Sequence, residues 1–205
     1  RMSGKVVEAF VAKADLLAAS PAYSDQSGVD WKTAAASAAK VLNHIGGVDG
    51  MDPTGWTWYC NVDDIEKLSP TESPAEILWR GERAKSLSLE EDNFPPTLYG
   101  NGRINPTQNL VDAFPMLNGY PVSHLSGEYD ENLPYANRDP RLEAYILYNG
   151  CKAGNTNKEI FTAADGTTND ALNKVVGRST RTGYYLRKLL RQDISLDPNA
   201  KADQY

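Results

Sequence analysis

Pro106-Thr107-Gln108-Asn109-Leu110-Val111-Asp112-Ala113-Phe114-Pro115-Met116 stands at the middle of this chain. Prolines bound it on both sides, and Thr107 to Phe114 reads as a short helix with Thr107 near its start. From Met116 to Asp139 the chain is a long loop, marked by Gly119, Pro121, Gly127 and Pro134, with Pro140 just beyond. A short helix set between long irregular stretches is the pattern that repeats outward in both directions.

Toward the C-terminus, Arg141 to Tyr148 alternates and is rich in Ile, Leu and Tyr, which predicts a strand. Tyr184 to Leu190 is a second strand candidate, introduced by Thr180-Arg181-Thr182-Gly183. Between them, Asn155 to Gly177 is polar and reads as a mobile surface excursion. The tail from Asp197 to Tyr205 has no pattern.

Toward the N-terminus, Glu90 to Arg103 is loop-like, and Glu76-Ile77-Leu78-Trp79-Arg80 forms a possible short strand. Met51 to Pro74 is irregular and carries an aromatic knot at Trp56, Trp58 and Tyr59. The first 47 residues differ. Val7, Phe10, Val11, Ala14, Leu17 and Ala18 recur at helical spacing, which predicts a helix over Lys5 to Ser20, closed by Pro21. Asp30 is placed to cap a second helix from Trp31 to Ile45, ended by Gly46-Gly47. Its expected core set is Trp31, Ala34, Ala35, Ala38, Leu42 and Ile45, and its alanines imply close backbone approach to a neighbour. One helical hairpin does not bury both faces, so something further is expected against the first helix. Trp79 is expected in the core, as is Trp58, while Trp56 is open between core and exposed platform. The fold class is mainly α, an irregular helical frame with a helix pair, long loops and a few short strands. The organisation expected is a single region of 205 residues, with a hairpin over 1–47 and a loop-rich part over 48–205.

The balance of 40% hydrophobic and 23% charged residues is that of an ordinary globular chain. A formal charge of −6 argues against nucleic acid and against a polybasic membrane-surface helix, leaving a neutral or polar small ligand as the easier partner. No apolar run approaches the roughly 20 residues that span a bilayer. Cys60 and Cys151 read as unpaired, buried thiols, with a disulfide as the alternative. His44, near a helix C-terminus, and His124, in a loop, have no second ligand at metal spacing, and no cofactor is expected.

Several stretches, taken in order, resemble one family. They are Ala12 to Tyr23 with the Trp31 to Ile45 helix, the Pro106 to Met116 block, Asn118-Gly119, Pro134-Tyr135, Asn137-Arg138-Asp139-Pro140-Arg141-Leu142, and Thr180 to Lys188. Together they are similar to the SusD/RagB family. The resemblance implies a tetratricopeptide-like helix pair and an internal piece of a larger SusD-like fold, with a lipid-attachment leader and further helices elsewhere in the parent chain. It implies capture of a glycan at the surface of the outer membrane, through a lipid anchor absent from this chain. The partners implied are a SusC-like TonB-dependent transporter and the remaining segments of the parent chain. No catalysis is implied.

The residues themselves suit that task. Sugars present flat C–H faces and rings of hydroxyls, so their sites combine exposed aromatic planes with amides, guanidiniums and carboxylates. Leu98-Tyr99-Gly100-Asn101-Gly102-Arg103-Ile104-Asn105 has that chemistry. Carried over by position, the resemblance implicates Tyr99, Asn101 and Arg103 together with Arg80, Glu82 and Arg83. Arg138, Asp139 and Arg141 are expected to lock the long loop against the segment starting at Arg141. A glycoside hydrolase is the enzymatic alternative and needs two carboxylates roughly 5 to 10 Å apart. Glu82, Asp112, Glu128 and Asp130 are candidates in name, with Asp112 expected to make a local hydrogen bond. A protein-interaction scaffold or peptide-binding member of the family is the remaining alternative.

Overall fold

The computed structural model describes residues 3–53, 55, 75–79 and 86–200. Trp56, Trp58, Tyr59, Cys60, Arg80, Glu82 and Arg83 lie outside the described residues. The described chain is mainly helical with short strands, and it divides into two compact units, residues 1–55 with 67–83 and residues 56–66 with 84–205.

In the first unit, α1 (Gly4–Ala18) packs on α3 (Trp31–Asn43), with the single turn α2 (Ser24–Ser27) between them in sequence. Asp30 caps α3 as expected, its Oδ1 accepting from the Thr33 N–H and hydroxyl, each at 2.7 Å. Glu8 of α1 pairs with Lys40 at 2.9 Å and with His44, and Ser37 donates to Asp15. Residue 8 meeting 44 while 15 meets 37 makes the helices antiparallel. Lys40, and then His44, pull the Glu8 carboxyl below its usual range.

The seam differs from the expected one. Val6, Ala19 and Ala34 are buried, while Val7, Phe10, Val11 and Leu17 face outward, as do Ala35 and Ala38. Trp31, expected in the core, is 57% exposed, and Trp79 is 63% exposed. Small residues and polar cross-links let the two helices approach, so the seam is narrow and the broad apolar stripe of α1 turns away from it. Glu76 to Trp79 form no strand; Glu76 instead accepts the Asp52 N–H at 2.8 Å.

The second unit contains α4 (Ser88–Asn93), α5 (Gln108–Ala113), α6 (Pro140–Tyr145) and four two-residue strands. These are β1 (Ile146–Leu147), β2 (Lys152–Ala153), β3 (Lys158–Glu159) and β4 (Tyr185–Leu186). β1 pairs antiparallel with β4, Ile146 opposite Leu186 and Leu147 opposite Tyr185, and β2 pairs with β3. Successive side chains alternate in extended backbone, so β1, and Tyr184 with Tyr185 at the entry to β4, divide between two cores, while Leu186 packs with Tyr185. Leu147 and Tyr185 join Phe94, Leu98, Ile160, Leu190 and Ile194. Ile146 and Tyr184 join Val111 and Leu142, with Tyr135 and Tyr148 packed alongside.

α5 forms as expected, with Thr107 Oγ1 accepting from the Leu110 N–H. Two expectations are corrected and a third is narrowed. Arg141 to Tyr145 is helical, because Asp139 accepts the Arg141 N–H at 2.9 Å and Pro140 fills the first turn, where its missing N–H costs nothing. Ser88 to Asn93 is a helix within the segment read as loop-like, its first turn carrying Glu90 and Glu91 where the helix dipole favours them. The stretch from Asn155 to Gly177 is mostly exposed, as expected, but it is anchored: Ile160, Thr162, Asp170 and Ala171 are buried, and Asn149 Oδ1 holds the Thr162 and Ala163 N–H groups. Cys151 is a buried free thiol, pushed up to about 11 by burial.

Arg138 is buried and reaches three backbone carbonyls, those of Pro134, Val111 and Phe114, at 2.7–2.8 Å. It thereby closes the 116–139 loop onto the C-terminal end of α5, assisted by Leu117 N–H to Asn137 O at 2.7 Å and Asp139 N–H to Pro115 O at 2.9 Å. Asp139 and Arg141 form an adjacent pair through Oδ1 and Nε at 2.9 Å. Hydrogen bonds from a charged donor contribute about 1.5–3 kcal/mol, and the abandoned carbonyls stay dry. Arg138→Met is therefore expected to cost about 3 kcal/mol in urea unfolding. Arg138→Lys should recover only part of that, because an ammonium lacks the planar fork.

Asp170 is fully buried; its Oδ1 accepts the Thr97 N–H at 2.7 Å, and burial raises its carboxyl pKa. A folded-state value above the unfolded one gives stability that is complete at low pH and is lost as pH rises through the folded value. Relative to Asp170→Asn, which keeps the acceptor for Thr97, the native chain should gain stability as pH is lowered from neutral toward the ordinary carboxylate range. Urea melts across that range read the slope, and an inverted slope would contradict desolvation as the cause.

Candidate functional site

The Leu98–Asn105 segment begins where α4 ends. Phe94, Pro95 and Pro96 stop the helix, and a tight turn over Pro96–Leu98 delivers Tyr99 in the left-handed region at φ 65°. A tyrosine there carries some backbone strain. The N–H groups of Tyr99 and Gly100 return to Pro96 and Pro95, at 2.9 and 3.2 Å, and hold the conformation. Asn101 N–H then reaches Glu91 O, Gly102 N–H reaches Phe94 O and Arg103 N–H reaches Asp92 O, all at 2.9–3.0 Å. The loop is laced along the end of α4.

This lacing sorts the side chains. Leu98 is buried and Gly100 and Gly102 lie beneath the surface, while Tyr99 (46% exposed), Arg103 and Ile104 face solvent and Asn101 is half-buried. A Cβ on Gly102 would stand 2.2 Å from Arg178 O and 2.7 Å from the Tyr185 ring, and φ is +54°. Glycine is required at that position. Arg178 donates to Gly100 O at 3.0 Å, and Asn105 Oδ1 accepts the Arg181 N–H at 3.1 Å. The loop is thus clamped between α4 and the 177–181 turn.

Two recesses flank it. On the Tyr99 side a cleft of about 70 Å³ is lined by Thr97, Tyr99, Asn155, Thr156, Lys158 and Asp197, among others. Lys158 Nζ stands 5.6 Å from the Tyr99 ring centroid, and the Tyr99 hydroxyl donates to Asp197 Oδ2 at 3.3 Å. On the other side Arg103 and Asn105 line a polar recess of about 250 Å³ with residues of the 177–181 turn. Arg103 Nε pairs with Asp92 at 3.2 Å, an exposed contact of small energetic weight.

Of the six residues expected at the site, Tyr99, Asn101 and Arg103 are described and share this loop; Arg80, Glu82 and Arg83 lie outside the described residues. Sequence reasoning missed Asn155, Thr156, Lys158 and Asp197 beside Tyr99. Their segments looked like an excursion and a tail, and the one available signal was Asn155-Thr156-Asn157, whose Asn157 takes φ 49° in the hairpin turn between β2 and β3. Two of the hydrolase candidates, Asp112 and Asp130, make local contacts, and Glu82 lies outside the described residues. Asp112 accepts from Gln108 of its own helix at 2.8 Å, as expected, and Asp130 accepts from the Asn132 N–H at 2.9 Å.

Gly102→Ala should displace the loop and cost about 2 kcal/mol or more, since backbone rather than a flexible side chain must yield. Thermal unfolding measures the cost, and an unchanged melting temperature would show that the 177–181 turn moves freely.

The chain's sequence and fold have counterparts in known proteins. A family model described as the SusD family matches residues 78–205. No curated protein matches the chain. Among solved structures, a SusD-like protein from Bacteroides fragilis superposes with a TM-score of 0.60 at 18% identity, covering 98% of this chain and 39% of that one. A SusD-like carbohydrate binding protein from the same organism superposes with a TM-score of 0.46 at 23% identity, covering 55% of this chain and 22% of that one. The chain therefore spans well under half the length of these two structures. With the family match running over more than half of its residues, this chain belongs to the SusD family.

Proposed function

We propose that this chain forms part of the ligand face of an outer-membrane glycan-capture protein that hands its ligand to a SusC-like TonB-dependent transporter. The parent protein is lipid-anchored and surface-exposed, and the chain binds without catalysing. The observation that carries this reading is the sorting of the Leu98–Asn105 loop. Its buried backbone is fixed to α4 and to the 177–181 turn, and it presents Tyr99 and Arg103 outward with Asn101 half-buried between them. A ring plane, an amide and a guanidinium on a rigid base offer stacking and hydroxyl pairing with little ordering cost on binding. Membership of the SusD family supports the same ligand class.

The test is a glycan panel read by affinity electrophoresis and calorimetry, with the Tyr99→Ala, Asn101→Ala, Arg103→Ala triple variant beside the native chain. Weak contacts of about 0.5–1.5 kcal/mol each sum to a loss of about tenfold or more. The circular dichroism spectrum should stay native. Unchanged affinity would move the site away from this loop, and release of shortened products would defeat the binding-only reading.

A further inference from the structure

We infer that the glycan taken by this site carries anionic groups, carboxylate or sulfate ester, and that the recess beside Arg103 receives them. The inference deepens the capture reading and rests on it. The recess is lined by Gly102, Arg103, Asn105, Gly177, Ser179 and Arg181, and no carboxylate is among them. Its neutral polar groups are already engaged. Ser179 Oγ donates to Asn169 O at 2.5 Å and accepts the Val175 N–H at 2.7 Å. Asn105 Nδ2 donates to Gly102 O at 2.9 Å, and its Oδ1 accepts the Arg181 N–H.

The donors left over are guanidinium N–H groups. Arg103 spends only Nε, on Asp92, among the described residues. Among the described residues, the Arg181 guanidinium has no acidic partner. Two exposed guanidiniums around a recess of about 250 Å³, in a chain whose net charge is −6, are a local inversion of the protein's overall sign. The planar fork matches the paired oxygens of a carboxylate or sulfate, whereas a neutral hydroxyl satisfies one N–H at a time. The position adds weight: the recess is floored by Gly102, so a ligand lying along the loop past Tyr99 reaches the cationic side without leaving the surface.

The test uses two matched pairs, oligogalacturonide with its full methyl ester and dextran sulfate with dextran, titrated into the 205-residue chain and into Arg103→Gln, Arg181→Gln. The acidic member of at least one pair should bind about tenfold or more tighter than its neutral counterpart. That preference should weaken as salt is raised toward 0.5 M, where screening shortens the reach of exposed charges. It should fall to the neutral level in the double variant. Equal binding of acidic and neutral members overturns the inference and leaves glycan capture standing. A preference that survives the double variant overturns the assignment to this recess. Binding of poly-glutamate as tight as that of the acidic glycans overturns the glycan assignment. If none of the four binds while other glycans of the panel do, the anionic class alone falls; if nothing on the panel binds, capture falls with it.

Discussion

The Tyr185 hydroxyl, deep in the second unit, accepts the Thr180 N–H at 2.9 Å and donates to Asp170 O at 3.0 Å. From Asp170 the connection continues through its carboxylate to the Thr97 N–H, at the turn that delivers Tyr99. Thr180 Oγ1 in turn donates to Tyr184 O at 2.7 Å and accepts the N–H groups of Thr182, Gly183 and Tyr184. These groups are buried, where leaving any of them unpaired is expensive, so the strand, the 177–183 turn and the candidate loop hold one another in a single arrangement. The surface features depend on this chain of bonds: were the Tyr185 ring elsewhere, Gly102 would lose the wall it is packed against.

The short strands matter for the same reason. A two-residue ladder adds little stability, yet β1 sends Leu147 to one core and Ile146 to the other, and Tyr185 and the Tyr184 just before β4 divide in the same way. The Tyr184 hydroxyl then donates to Gln108 Oε1 at 2.7 Å, tying α5 to the turn before β4. Arg138 performs the parallel task for the long loop by occupying carbonyls that the end of α5 leaves open. The unit is loop-rich but not loose, because its loops end on buried polar partners.

Much of the local structure was legible in the residue order. Asp30 and Thr107 announced helix starts, and the blocks from Pro106 to Leu142 and around Thr180 carried the family likeness. Arg141 to Tyr148 reads as a strand from its alternation, although the Asp139-Pro140 before it, a capping side chain followed by proline, is also the beginning of a helix. Leu142 and Ile146 share a face at either period, with Tyr145 joining them at helical spacing and Ala144 in alternation, and six residues are too few to separate the two periods. Of the site, Tyr99, Asn101 and Arg103 were legible because they crowd one glycine-rich stretch. Lys158, Asp197 and Arg181 were not, because they come from distant segments.

Residue order alone fixed where α1, α3 and α5 begin, which family the chain resembles, and which loop carries sugar-compatible side chains. Each follows from spacing within about a dozen neighbours, over which capping and periodicity act. The tertiary structure alone decided which face of α1 meets α3, why Gly102 must be glycine, and that the polar stretch after Asn155 is anchored to the core through Ile160, Thr162, Asp170 and Ala171. Those outcomes depend on which atoms distant in sequence come to share a dry interior, and backbone hydrogen bonds and close packing make that choice.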